Sequence, residues 1–338
     1  MIERRLADLD FAALTDREFF RSPVAWEDQV LYFLMLDRFS DGNEQGYRDN
    51  AGAIVAGGTT PLFRPEDAGS AVRIDEDAVR WREAGSRFVG GTLKGLTSKI
   101  GYLKRLGITA IWVSPVFRQV AAQQSYHGYG IQNFLDVDPR FGTREDLREM
   151  VATAHEHGIY VILDIIFNHV GDIFDYDADR YAANASDGSV SFDTYWDGQP
   201  YRVKGFRDRQ GQLSLPFGPV DLGAYPDAWP DGAIWPAEFQ DAMVFTQKGY
   251  IRGWDNDPEY LEGDFFSLKD VTHGRGDTDN YQPAAALRAI VDVYKFWMAY
   301  ADVDGYRIDT VKHMDPGATR FFASAMHEFA QRLGKENF

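Results

Sequence analysis

Cysteine is absent from the 338 residues, so neither a disulfide framework nor a thiolate metal site is available to this chain. Also missing is any apolar run long enough to span a membrane as a helix. The amino terminus, Met1-Ile2-Glu3-Arg4-Arg5-Leu6-Ala7-Asp8-Leu9-Asp10, lacks the apolar stretch of a secretory signal. A cytoplasmic protein is therefore expected, unless a leader has been removed. Positive charge is in short supply: 35 Lys and Arg stand against 52 Asp and Glu, a formal charge of −17. That balance repels nucleic acid and anionic lipid, so neither is expected as a partner, and a neutral partner suits it. Low-complexity tracts and short repeats are lacking too. What the chain does have is 44% hydrophobic and 14% aromatic residues, ample for a core and incompatible with disorder. Its length exceeds one ordinary core, so one large domain with an insertion, or two domains, is expected.

A helix–glycine–strand unit recurs. Leu96, Ile100, Leu103 and Leu106 fall at helical spacing, Gly107 stops the helix, and Ile108 to Val113 reads as a buried strand. Thr143 with Asp146 three residues on predicts a capped helix whose apolar face is Leu147, Met150, Val151 and Ala154. Gly158 ends that helix, and Tyr160 to Ile166 is strand-like. Leu287, Ile290, Val291, Tyr294 and Met298 mark a third helix before a strand from Val303 to Ile308. Phe322, Met326, Phe329 and Leu333 mark a fourth helix, which stops at Gly334, and Leu31 to Leu36 supplies an earlier strand. Such alternation predicts an α/β fold with a parallel sheet. Between Val170 and about Val271 the rhythm breaks into a stretch rich in Gly, Asp, Pro, Tyr and Trp. A loop of that length is expected only as a small domain of its own.

Two strand ends carry charge. In Gly305-Tyr306-Arg307-Ile308-Asp309-Thr310-Val311-Lys312-His313, alternation puts Arg307 and Asp309 on one face and Ile308 on the other. An arginine fixed beside a carboxylate keeps it ionised and acceptor-only. Taken alone, such a pair is most often a structural ion pair. However, Leu163-Asp164-Ile165-Ile166-Phe167-Asn168-His169 ends a second apolar strand in its own polar cluster. Together they place a candidate active site at the carboxyl ends of a parallel sheet.

These two stretches resemble, in order, two signatures of the α-amylase family of glycoside hydrolases. Leu36-Asp37-Arg38-Phe39-Ser40-Asp41-Gly42-Asn43 looks like that family's first strand and following loop. Tyr126-His127-Gly128-Tyr129 is similar to its sugar-stacking segment, and Gly263-Asp264-Phe265-Phe266-Ser267-Leu268-Lys269-Asp270, less closely, to its short signature near the end of the inserted domain. The likeness runs from Tyr32 to the last residue, and several motifs in the right order are far more specific than one.

The resemblance implies a TIM (β/α)8-type barrel with only about its first half present and an irregular, β-rich domain inserted after the third strand. Residues 1–169 would begin the barrel, 170–271 form the insertion, and 272–338 continue the barrel to just before the fifth strand. The implied activity is retaining cleavage of α-glycosidic bonds in α-glucans or malto-oligosaccharides, by hydrolysis or transglycosylation. Asp309 would be the nucleophile that carries the covalent intermediate. Arg307 would orient Asp309, and Asp164 would accept a hydrogen bond from Arg307. Tyr129 would stack beneath the reacting sugar, His127 and His169 would bond its hydroxyls, and Lys312 and His313 would line the leaving-group side. Asn168 resembles the family's calcium ligand, which implies a structural calcium ion, although an asparagine there can equally cap the strand end. The family's general-acid glutamate and its later aspartate would fall beyond Phe338, and Glu336 comes too early for the role. The chain as written is therefore expected to be catalytically incomplete, an amino-terminal portion. The rival expectation is a non-catalytic carbohydrate-binding or scaffold relative, against which the intact Asp164, Arg307 and Asp309 stand. Asp41-Gly42-Asn43 reads as a turn rather than a second calcium loop. Trp196, Trp229, Trp235 and Trp254 either line a glucan cleft or pack the insertion.

Overall fold

Four parallel strands pair in chain order: β1 (Leu31–Leu34), β2 (Ala110–Val113), β3 (Tyr160–Ile165) and β4 (Gly305–Ile308). They come from a computed structural model that describes residues 2–58, 75–180 and 193–338, with Ala182, Ala183, Gly188, Val190 and Ser191 between. The register sets Phe33 beside Trp112, Trp112 beside Ile162, and Asp164 beside Arg307.

Helices follow the strands as the glycine spacing predicts. α1 (Leu93–Ser98) and α2 (Ile100–Leu106) precede β2, and α2 ends on Gly107 at φ 93°, a conformation that costs glycine nothing. α3 (Arg144–Glu156) opens with a full capping box. Thr143 Oγ1 accepts from Asp146 N at 3.1 Å, and the Asp146 carboxylate accepts from Thr143 N at 2.9 Å. α4 (Ala285–Ala301) and α5 (Pro316–Arg332) flank β4.

One sheet face is thoroughly covered. Leu34, Ile111, Val113, Val161, Leu163 and Ile165 are buried there with Leu103, Leu147, Met150, Leu287 and Ile290 of the helices. The opposite face carries Leu31 and Phe33, exposed by 52% and 45%, and the half-buried Trp112 and Ile162. Asp164 and Arg307 sit on that second face.

β1 is shorter than the Leu31–Leu36 run predicted. Ser114 Oγ accepts from Leu36 N at 2.9 Å, and the chain turns into a short helix over Leu36–Phe39. The Asp41–Asn43 segment is a turn, with Asn43 N donating to Asp41 Oδ1 at 2.8 Å.

The irregular stretch begins and ends side by side. His169–Gly171 pairs antiparallel with Leu268–Asp270, so the chain returns next to its point of departure. Within it, Phe174, Tyr176, Phe206 and Phe245 pack ring against ring, while Trp235 Nε1 donates to Gly232 O. Its only α-helical turn among the described residues is Glu259–Glu262. The stretch does not stand clear of the rest. Trp235 O accepts from Phe134 N at 2.9 Å, and Glu238 Oε2 accepts from Leu6 N at 3.1 Å.

Candidate active site

Arg307 is the hub. Its Nη1 donates to both oxygens of Asp164, at 3.0 and 3.2 Å, and to Asp309 Oδ1 at 2.6 Å. Strand registry explains the first contact, because Arg307 and Asp164 are paired neighbours on β4 and β3. Pleating explains the second, because Asp309 lies two residues beyond Arg307 on the same face. Asp309 N still donates to Ile165 O at 3.0 Å, after which Thr310 takes φ 56° and turns the chain into Val311–His313. A β-branched residue there costs roughly 1–3 kcal/mol, and such strain gathers at sites whose backbone must be re-aimed.

Asp164 has no exposed surface, whereas the Asp309 side chain keeps 18% of its own. Burial pushes the Asp164 carboxyl up to about 6, against the downward pull of Arg307, Trp112 and Tyr129. Trp112 Nε1 and Tyr129 Oη each donate to Asp164 Oδ2 at 3.0 Å. Burial and the Asp164 charge push the Tyr129 hydroxyl well up, so it stays protonated and remains a donor. The Arg307 guanidinium also lies 5.0 Å from the Trp112 ring, a cation–π contact. The structure thus brings Asp164, Arg307, Asp309 and Tyr129 directly together.

His127 joins through Tyr129. Its Nδ1 accepts from Tyr129 N at 3.1 Å, and the two rings stack at 5.5 Å. Burial pulls His127 down, toward the neutral imidazole. His169 and His313 lie further in, sharing a neighbour in Phe265, whose ring is 5.1 Å from the first and 4.8 Å from the second. Among the described residues neither ring nitrogen of His169 has a hydrogen-bond partner within bonding geometry, and burial, reinforced by His313 and His127, pulls it down to about 3. His169 is buried, 2% exposed, with the Phe265 ring tilted against it at 5.1 Å. His313 Nδ1 is bonded to the Tyr260 carbonyl at 2.7 Å. Lys312 stands apart from the cluster, exposed, with Nζ 2.5 Å from Asp255 Oδ1.

Trp112 escapes the sequence reading, although an indole near the end of a strand on the Asp164 face was a usable signal. Asp270 escapes too. Among the described residues Asn168 Oδ1 and Asp270 Oδ2 are both buried without a hydrogen-bond partner, on segments joined by Val271 N donating to Asn168 O at 2.9 Å. Burial, with Asp264 adding to it, pushes the Asp270 carboxyl well up. Two orphaned oxygens of this kind fit ligands of a hard cation. Among the described residues, no group of three or more His, Asp or Glu completes such a site.

A parallel α/β sheet with an Asp–Arg–Asp cluster at its strand ends defines an enzyme-like site of the sort built at the carboxyl edges of such sheets. A family model of the α-amylase catalytic domain matches residues 33–331, and the chain belongs to that family. It is 32% identical over 263 residues to an α-amylase of Streptomyces lividans, covering 74% of this chain and 27% of that protein. It is 26% identical over 317 residues to a cyclomaltodextrin glucanotransferase of Klebsiella oxytoca, covering 92% of this chain and 37% of the relative. Among solved structures, a cyclomaltodextrin glucanotransferase with a three-domain arrangement is 28% identical with a TM-score of 0.52, over 89% of this chain and 48% of that one. An Anoxybacillus α-amylase shares the fold at 24% identity and a TM-score of 0.53, over 92% of this chain and 47% of that one. The chain spans less than half the length of each of these relatives.

Proposed function

We propose that this chain carries the nucleophile side of a retaining α-glucan-active glycosidase. The observation that carries the reading is the single guanidinium nitrogen bonded to both Asp164 and Asp309. A nucleophilic carboxylate must be ionised, oriented and partly open, and Asp309 is the exposed member of the pair. In this reading Asp309 attacks the anomeric carbon as that carbon's bond to the leaving oxygen breaks, the leaving oxygen taking its proton from the general acid, and Arg307 holds the Asp309 carboxylate in place. Asp164, held by Trp112 and Tyr129, balances the Arg307 charge when Asp309 becomes an ester. Tyr129 and His127 form the floor beneath the reacting ring. The general acid is assigned to none of the carboxylates of this chain; the resemblance puts it on a fifth strand. The four strands are then the first half of a (β/α)8 barrel and residues 170–271 its inserted domain. Among the described residues the Leu31–Phe33–Trp112 face is uncovered and the outer edges of β1 and β4 are unpaired, which supports that reading.

A glycosyl fluoride deactivated by fluorine on the sugar ring tests the assignment, with the labelled residue located by peptide mass spectrometry. Label on Asp309 bears the proposal out. Label on another carboxylate, or labelling of Asp309→Asn as fast as wild type, overturns it.

A structural calcium ion belongs to the same proposal, with Asn168 and Asp270 each supplying an oxygen that would tie the insertion to the end of β3. No step of the chemistry runs through it. Added calcium should raise the thermal midpoint of the wild-type chain but not that of Asn168→Ala; an equal response in both would remove the ion from the reading.

A further inference from the structure

Tyr129 keeps its hydroxyl on Asp164 Oδ2 at 3.0 Å although it lies in a turn outside the four-stranded sheet. A turn has no ladder to hold it and keeps its shape through whatever bonds its backbone finds. This one lies against the chain before it. Gly128 has φ 88°, and a Cβ there would sit 2.1 Å from Pro115 O, so only glycine fits.

One side chain holds both peptide planes that flank Tyr129. Gln119 is 1% exposed and ends the short strand Phe117–Gln119, which pairs antiparallel with Ile131–Val137. Its Nε2 donates to Gly128 O at 2.8 Å, on the plane before Tyr129, and its Oε1 accepts from Gly130 N at 2.7 Å, on the plane after. The second Nε2 hydrogen goes back to Phe117 O at 2.8 Å, so both donors of the amide are used. The other group of the first plane, Tyr129 N, donates to His127 Nδ1. Gln119 is itself anchored. Its backbone N donates to Asp138 Oδ2 at 3.0 Å, and Arg140 donates to both oxygens of Asp138 at 2.8 Å. With both flanking planes fixed, the φ and ψ of Tyr129 are set, and the direction in which its side chain leaves the turn is set with them.

Resting on the α-glucan reading, we propose that Gln119 is a positioning residue for the reaction at Asp309, because it aims Tyr129 at Asp164. The line of contacts is continuous: Gln119 sets Tyr129, Tyr129 donates to Asp164, and Asp164 shares the Arg307 guanidinium with Asp309. A group two bonds removed from the chemistry matters when it fixes the geometry of those that perform it. Reach is the property that counts. An apolar side chain of equal length would leave Gly128 O, Phe117 O and Gly130 N without these bonds, and an asparagine is one methylene too short to span both planes. A misaimed Tyr129 takes a donor from Asp164 and loosens the hub that aligns Asp309, so the loss falls on the chemical step more than on binding.

The test is the rate at which a ring-fluorinated α-glycosyl fluoride labels Asp309 in the 338-residue chain, followed by intact mass over a range of probe concentrations. The Asp309 carboxylate forms its ester bond as the carbon–fluorine bond breaks and fluoride departs, so this step needs no general acid. Gln119→Met should slow the limiting rate about tenfold and change the half-saturating concentration by less than about threefold. Gln119→Asn, which keeps an amide, should lose nearly as much, and it takes the place of the methionine variant if that one fails to fold. Circular dichroism and the thermal midpoint show which variants are folded. In a Tyr129→Ala background, Gln119→Met should slow labelling by less than about twofold further, because no ring is left to aim. A wild-type rate in either folded Gln119 variant, or a full tenfold loss in the Tyr129→Ala background, overturns the positioning role and leaves the α-glucan reading standing. Wild type left unlabelled overturns both.

Discussion

The two faces of the one four-stranded sheet are made from the same short segments, yet they behave as different materials. On one, Leu34, Val113, Leu163 and Ile165 are buried under helices. On the other, Phe33 is 45% exposed, and the polar residues Asp164 and Arg307 occupy the positions nearest the strand ends. The difference teaches where this chain keeps stability and where it keeps chemistry. The packed face relies on apolar area, whereas the open face relies on one charge network in which each member is placed by another.

Removing a side chain from the packed face should cost most. Leu163→Ala, at a site 1% exposed, should lower unfolding free energy by about 3 kcal/mol, read by urea denaturation. Arg307→Leu should cost about 2 kcal/mol, because it leaves the fully buried Asp164 facing only Trp112 and Tyr129; partial exposure of Arg307 keeps the value below that of a wholly buried pair. If Arg307→Leu proves the costlier of the two, the division between the faces is wrong.

A pH series sharpens the comparison next. Asp164 has its carboxyl raised from 3.8 to about 6, so between those values the folded chain holds a proton that the unfolded chain releases. Its contribution to stability therefore falls as pH rises through that window and is level above it. Asp164→Asn should flatten that part of the profile; an unchanged slope would place the titrating group elsewhere. The smallest effect belongs to Phe33→Ser, expected within about 0.5 kcal/mol of wild type, since the ring is already half in water. A loss above about 2 kcal/mol would mean that this face is covered in solution.

How much of this was legible in the sequence follows from the range of the forces involved. Arg307, Asp309 and Asp164 could be read because a period of two decides faces within a strand, and the α3 capping box because it spans three residues. The Tyr129–Asp164 hydrogen bond could not, because it depends on the path of a loop 35 residues away. Lys312 was read as lining the site, but its ion pair with Asp255 joins positions 57 residues apart through a segment with no periodic signal. His169 could be named as polar at a strand end, yet its contact with the Phe265 ring depends on where the irregular stretch returns.

That return has a consequence for how the molecule tolerates change. Because His169–Gly171 and Leu268–Asp270 lie side by side, the intervening chain closes on itself before the sheet resumes. Lengthening such a closed excursion costs little, about 0.6 kcal/mol per doubling for a flexible loop, and leaves the Asp164–Arg307 register alone. The clasp between His169–Gly171 and Leu268–Asp270 keeps the strand ends, and the residues they aim, in step across the excursion.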